Sequence, residues 1–164
     1  MKKLLLDYEI CNRCPACVVR CSYDFHPANN GIFSLREEIA LTLTCRRCEN
    51  NPCVQACPNQ ALQRLEGRIR RSLVMCVSCK SCSLACPFGT ILPDLVPYLA
   101  SRCDLCQGPR LEEKRRFVCV ESCPYGALRL VEEKTLEGMK NLYPVNETLV
   151  VKAINWLDLY GVKK

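Results

Sequence analysis

Residues Cys76–Pro87 read Cys-Val-Ser-Cys-Lys-Ser-Cys-Ser-Leu-Ala-Cys-Pro, with cysteines at 76, 79, 82 and 86. The gaps are two, two and three residues, and a proline follows. Three thiolates so closely spaced on a tight loop can wrap three corners of a cubane 4Fe–4S core. The fourth, displaced by one helical turn, points away and reaches a second core. One such run therefore asks for a partner run.

Outward from this stretch the chain supplies three more quartets. Before it lies Cys45-x2-Cys48-x4-Cys53-x3-Cys57-Pro58, in which Glu49-Asn50-Asn51-Pro52 widens the gap between the second and third cysteines. After it lies Cys103-x2-Cys106-x12-Cys119-x3-Cys123-Pro124. Near the start lies Cys11-x2-Cys14-x2-Cys17-x3-Cys21, followed by Ser22 in place of proline. The segments after the three prolines are Asn-Gln-Ala-Leu, Phe-Gly-Thr-Ile and Tyr-Gly-Ala-Leu, copies of one unit. This is an internal repeat of four quartets that accounts for all 16 cysteines.

The segments between quartets are short. Lys2–Ile10 alternates weakly and predicts an opening strand. Ile39–Thr44 predicts a short strand. Gln60–Leu65 and Arg68–Val74 flank Glu66-Gly67 and predict a hairpin. Pro93 and Pro97 forbid a long helix. Tyr125–Leu130 predicts a short helix and a closing strand after the last quartet. Val145–Tyr160 has patchy helical periodicity and carries Trp156. His26, the single histidine, sits in a loop beside Pro27, where a structural or exposed role fits better than ligation. The twelve-residue insert of the last quartet holds Gly108-Pro109 and the basic run Lys114-Arg115-Arg116, either a solvated face or a docking surface. Asn146-Glu147-Thr148 matches a glycosylation sequon, without meaning inside a cell.

The chain has 164 residues, enough for one compact domain or two very small ones. Its hydrophobic fraction of 49% includes the cysteines, and with one Trp and four Phe no large aromatic core is expected. Disulfides would need an oxidising compartment. The apolar run before Asp7 is too short for a signal-peptide core, Arg70-Arg71-Ser72 and Arg115-Arg116 sit mid-chain, and no run reaches transmembrane length. The expectation is a cytoplasmic protein with no membrane span, whose reduced cysteines bind metal.

The formal charge of +6 would by itself suggest an acidic partner. An oxidised 4Fe–4S core with four thiolates carries about −2, so four would bring +6 to about −2. The basic excess then offsets cluster charge, and no nucleic-acid partner is required. Arg20, Arg46, Arg47, Lys80 and Arg102 stand beside cysteines in sequence. They either offset cluster charge or raise cluster potentials by favouring the reduced form.

Two other chemistries fit less well. Zinc sites pair separated Cys-x2-Cys knuckles, and a third cysteine at x2 with a fourth at x3 does not serve one tetrahedral ion. A zinc-binding nucleic-acid module is therefore the remote alternative. A stand-alone enzyme lacks support: there is no Gly-x-Gly-x-x-Gly, no phosphate loop and no histidine-based constellation. Four thiolates saturate a cubane core and leave no open position for substrate. The reading is non-catalytic electron transfer.

The four quartets, with the wide gap in the second and the long insert in the fourth, resemble the four-cluster iron–sulfur electron-transfer subunits. These accompany molybdenum and tungsten pterin oxidoreductases, formate hydrogenlyase-type hydrogenases and carbon monoxide dehydrogenase. The resemblance covers about residues 4–131, and the missing proline after Cys21 fits that family's first quartet. It implies an α+β fold, a duplicated bacterial two-cluster ferredoxin. An inner module, 45–94, is inserted into an outer one, 1–44 with 95–131, and 132–164 forms a C-terminal docking extension. It also implies cross-pairing of quartets. One cluster would use Cys11, Cys14, Cys17 and Cys123, and its mate Cys103, Cys106, Cys119 and Cys21. The inner pair would use Cys45, Cys48, Cys53 with Cys86, and Cys76, Cys79, Cys82 with Cys57. The implied partners are a catalytic subunit of an anaerobe and a second redox subunit or ferredoxin. A tungsten or molybdenum enzyme oxidising an aldehyde or formate is favoured. A NiFe or FeFe hydrogenase, carbon monoxide dehydrogenase, or a free polyferredoxin role are the alternatives.

Overall fold

The computed structural model describes residues 2–15, 17–21, 31–96, 103, 106 and 117–154. The expectations for His26, Gly108-Pro109, Lys114–Arg116 and Trp156 lie outside these residues. The fold is small and mixed α+β, and the chain divides into two compact units: Met1–Ser22 with Leu105–Lys164, and Tyr23–Asp104.

The unit built from both ends of the chain centres on a four-stranded sheet. Its order is β4 (Leu128–Glu132), β1 (Lys2–Asp7), β6 (Leu149–Lys152), β5 (Leu142–Pro144). β1 runs antiparallel to β4, with Leu4 opposite Leu130, and parallel to β6, with Leu4 opposite Leu149. Leu4, Leu5 and Leu6 are all buried, as a central strand covered on both faces requires. Leu136, on the short helix α6 (Glu133–Leu136), packs with Leu5 and Val150 over one face.

The expected strand Lys2–Ile10 stops early, and for a local reason. Asp7 caps a one-turn helix, α1 (Tyr8–Cys11), its Oδ1 accepting from the backbone N–H of Glu9 at 3.1 Å and Ile10 at 3.4 Å. Asp7 is itself buried, and its Oδ2 accepts from Lys152 Nζ at 3.1 Å and Arg129 at 3.3 Å, one cation from each flanking strand.

Helical periodicity over Val145–Tyr160 does not hold at its start, because 149–152 is strand β6. The Asn146 sequon site proves to be a turn: its Oδ1 accepts from the N–H of Thr148 at 2.9 Å and of Leu149 at 2.7 Å and from the Thr148 hydroxyl at 3.1 Å. That turn joins β5 to β6 and brings them into the sheet.

The central unit carries the expected hairpin. β2 (Leu62–Leu65) pairs antiparallel with β3 (Arg68–Arg71) in a register that closes Leu65 on Arg68. Glu66 and Gly67 both take left-handed backbone, φ 50° and 73°, the two-residue turn whose twist matches flanking strands. Ile69 and Arg71 face inward from β3. The core is Ala61, Leu62, Ile69, Ile91 and Val96 together with Cys76 and Cys82.

The expected strand Ile39–Thr44 is a correction. Gly31–Ile39 forms helix α2, and Ala40–Thr44 continues it as a π-helical turn. The Thr44 hydroxyl donates to the Ala40 carbonyl at 2.7 Å, so the β-branched residues that suggest a strand are held helical by side-chain bonding and by burial of Ile39.

Candidate metal centres

The three proline-terminated quartets fold alike. Helices α3 (Pro52–Gln55), α4 (Ser81–Ala85) and α5 (Val118–Glu121) each begin one residue before a third cysteine: Cys53, Cys82, Cys119. Each helix delivers the fourth cysteine, Cys57, Cys86 or Cys123, one turn later. Asn51 and Lys80 precede α3 and α4 in left-handed conformation, φ 40° and 63°, and turn the ligand loop sharply into the helix. Pro58, Pro87 and Pro124 then start a turn closed by backbone bonds. Gln60 N–H donates to Cys57 O at 3.2 Å, Gly89 to Cys86 O at 3.2 Å, and Gly126 to Cys123 O at 3.1 Å. All three donors have positive φ, 51°, 63° and 63°. Glycine meets that demand without cost at 89 and 126, and Gln60 meets it under strain.

Within the central unit the cysteines gather around two recesses, and each recess draws on two quartets. Cys45, Cys48 and Cys53 meet Cys86 around the first, which has about 370 Å³ of atom-free space including its open mouth. Cys76, Cys79 and Cys82 meet Cys57 around the second, of about 290 Å³. Neither lining contains a histidine, aspartate or glutamate, and the charged side chains present are Arg46 in the first and Lys80 in the second. Soft sulfur donors with cations at the rim suit an anionic iron–sulfur core, so the residues fit a 4Fe–4S cluster in each recess. Among the described residues no three His, Cys, Asp or Glu side chains converge tightly enough to hold one metal ion. The thiols line the walls instead, as a core that gives each thiolate its own iron requires.

The same turns aim amide protons at sulfur. Ala61 N–H donates to Cys57 Sγ at 3.2 Å. At Cys86 burial works to raise the thiol pKa, but bonds from the backbone N–H groups of Phe88, Thr90 and Ile91 outweigh it and hold the pKa below its usual value. Burial pushes the Cys82 thiol up to about 11, helped by the neighbouring Cys76. Burial also raises Cys53, with Cys86 and Cys45 adding to it. Cys79 is exposed and goes the other way, lowered by the Ser81 hydroxyl, whose Oγ lies 3.5 Å from its sulfur, and by the Ser81 amide. The Ser78 hydroxyl donates to the Val96 carbonyl and ties the Cys76–Cys79 loop to the core.

Cys11 ends α1, and its carbonyl accepts from the Cys14 amide at 3.1 Å. Arg20 N–H donates to Ser122 Oγ at 2.9 Å, joining the neighbour of Cys21 to the neighbour of Cys123. Cys17 is exposed, Cys106 is buried with φ 55°, and Cys103 falls in the central unit by chain position.

One pair of residues is invisible to sequence reasoning. Glu37 on α2 and Arg71 on β3 form a buried bidentate ion pair, with Nε–Oε1 at 2.5 Å and Nη2–Oε2 at 2.7 Å. Burial opposes the charge on the Arg71 guanidinium, but Glu37 and, after it, the neighbouring Cys76 thiol hold it protonated. Glu37 and Arg71 lie 34 positions apart, and neither stands beside a cysteine, so no spacing signal links them. Of the cations singled out from sequence, Arg20, Arg46, Arg47 and Lys80 are exposed, and Arg102 lies outside the described residues.

Comparison with known proteins agrees with this chemistry. The sequence profile of the family described as "4Fe-4S dicluster domain" matches residues 36–133. AegA of Escherichia coli (strain K12), named provisionally as an oxidoreductase, is 34% identical over 155 residues, 83% of this chain but 23% of that protein. An uncharacterized ferredoxin of Methanocaldococcus jannaschii, MJ0155, is 32% identical, with 85% of each chain covered. The electron transport protein HydN of Escherichia coli is 29% identical over 83% of this chain and 91% of its own. This chain thus spans under a quarter of the length of AegA and most of the length of the other two.

Proposed function

The chain belongs to the 4Fe–4S dicluster domain family, and from that premise we propose that this iron–sulfur electron-transfer protein carries four 4Fe–4S clusters on its sixteen cysteines. Two inner clusters take Cys45, Cys48, Cys53 with Cys86, and Cys76, Cys79, Cys82 with Cys57. Two outer clusters take Cys11, Cys14, Cys17 with Cys123, and Cys103, Cys106, Cys119 with Cys21. The observation that carries the reading is the pair of recesses, each lined by three cysteines of one quartet and the fourth of another. The bond from Arg20 to Ser122 supports pairing the first quartet with the last. The division into a central unit and one built from both chain ends supports an inner ferredoxin module inserted into an outer one.

Each cluster, when bound, supplies one-electron oxidation and reduction. The protein's part is to hold and tune. Its thiolates saturate every iron, its amide protons at Cys57 and Cys86 stabilise negative sulfur, and its apolar walls at Leu41, Ile69, Ile91 and Val96 limit water. The eight thiols that line the two recesses would all be taken up as cluster ligands, which favours an electron carrier serving a catalytic partner over an enzyme.

We assign that partner to the tungsten or molybdenum pterin oxidoreductases acting on an aldehyde or formate, with a second redox protein completing the route. A hydrogenase or carbon monoxide dehydrogenase would use the same wiring. The working site is an anoxic cytoplasm. No helix among the described residues is long and apolar enough to cross a membrane.

The test is purification without air of natively expressed protein with whatever accompanies it, followed by metal analysis. About sixteen irons per chain, beyond those of any partner, are expected, four for each cubane core. Tungsten or molybdenum in the same sample identifies the partner class, and nickel points to the alternatives. Zinc with little iron overturns the reading.

A further inference from the structure

Resting on that reading, we propose that Arg71, clamped by Glu37, is a positioning residue that acts through Cys76 to raise the reduction potential of the core held by Cys57, Cys76, Cys79 and Cys82. Arg71 is 5% exposed and Glu37 9%, so neither is there for solubility. The pair is bidentate, which fixes the guanidinium plane. Arg71 lies at the end of β3, and the Ser72 amide that follows is anchored to the Ala61 carbonyl at 2.7 Å, so the strand cannot slide away from the ligand loop. The Cys76 amide in turn bonds the Ser72 carbonyl at 3.2 Å.

The physical sign follows from charge. Electron uptake makes the core and its thiolates more negative, and a cation held beside one of those sulfurs stabilises the reduced form more than the oxidised one. A buried charge acts through a lower effective dielectric than an exposed one, so Arg71, behind Cys76 in the core, outweighs the exposed Lys80 of the recess lining. Glu37 works against it: its carboxylate, paired to the guanidinium, withdraws part of that stabilisation. Arginine stays protonated throughout, so one electron enters and no proton moves on this residue. At the first recess the cation is Arg46 at the rim, over the Phe88 ring at 6.0 Å, exposed where Arg71 is buried. Helix α2, a connector by sequence, thereby gains a role at the metal centre.

Two variants of the full chain, purified without air, test this in a redox titration followed by electron paramagnetic resonance. Glu37→Gln keeps a hydrogen-bonding side chain of the same shape and removes the opposing charge. It should raise one midpoint potential. The double variant Glu37→Leu with Arg71→Met removes both charges at similar volume, an exchange that folds well in other buried pairs. It should lower the same potential by about a tenfold change in the ratio of reduced to oxidised form, or about 59 mV for a one-electron couple. The remaining potentials should stay in place. A purely structural pair would change melting and leave the potentials alone. Iron-replete variants with every potential unmoved, or with all moved together, overturn the inference. If the double variant fails to fold, the presence or absence of a rise in Glu37→Gln decides it alone. A Cys76→Ala chain with the iron content of the parent would instead overturn the four-cluster reading beneath it, and the inference with it.

Discussion

Cys79 and Cys82 stand three residues apart on one ligand loop, yet their thiols differ sharply. Cys79 is exposed and its thiolate is stabilised by Ser81, while Cys82 sits in the first turn of α4, inside the core, and is pushed up to about 11. Thiolate is the reactive form, so lower pKa and greater exposure act in the same direction. In the metal-free protein, alkylation begun near neutral pH and repeated at rising pH should modify Cys79 first and Cys82 last, read residue by residue by mass spectrometry. Equal rates at the two would show that the loop loses this geometry without metal. Cys76 adds a different lesson. Its neighbours in sequence are uncharged, and the cation that matters to it, Arg71, arrives from a strand end. Sequence offers only adjacency, so a cation delivered by tertiary packing of α2 against β3 leaves no mark in it.

At the scale of elements, the turn after the fourth cysteine appears three times with one conformation and two kinds of residue. A methyl group on the glycine at 89 or 126 would meet no atom within 4 Å, so the reason for glycine is positive φ and not space. Gln60 occupies the same conformation at φ 51°. A side chain there costs about 1–2 kcal/mol, offset partly by the greater freedom glycine has when unfolded. Gly89→Ala should therefore destabilise by about 1 kcal/mol, and Gln60→Gly should stabilise by about half that, both measured by denaturant unfolding of the iron-loaded protein. The same sign for both substitutions would mean that the turns are not equivalent.

This repeat is legible in the sequence, since the three post-proline segments already read as copies. So is the hairpin at Glu66-Gly67, whose signal is entirely local. Strand-like Ile39–Thr44 misleads because β-branched residues mark strands only on average, and here a hydroxyl bond and core packing keep them helical. The end of β1 is equally hidden: only the structure shows Asp7 turning from strand residue to helix cap. At the candidate site, sequence supplies the quartets and resemblance supplies the cross-pairing, while only the structure shows two recesses each lined by cysteines of two quartets.

For the whole molecule, metal and fold are one equilibrium. Cys76 and Cys82 belong to the central unit's core, and Cys45, Cys53 and Cys57 pack against it, so emptying the recesses removes contacts from the middle of the unit. Binding energy at such sites is also folding energy. Stripping iron with a chelator under reducing conditions should lower and broaden the thermal transition seen by circular dichroism. It should also shift the isoelectric point from below neutrality, where the proposed four clusters would place it, toward the value of about 8.6 set by the side chains alone. A metal-free chain that melts as sharply as the loaded one would contradict this.

The sheet that joins β1 to β4 and β6 also sets a timetable during synthesis. Lys2–Asp7 leaves the ribosome before the central unit, but Leu128–Glu132 and Leu149–Lys152, the strands on either side of it, are made only after that unit. The central unit, whose hairpin, core and two recesses lie within 23–104, is complete long before. Translation thus delivers the inner cysteine sites while the three leucines of the first strand still wait, uncovered, for their neighbours.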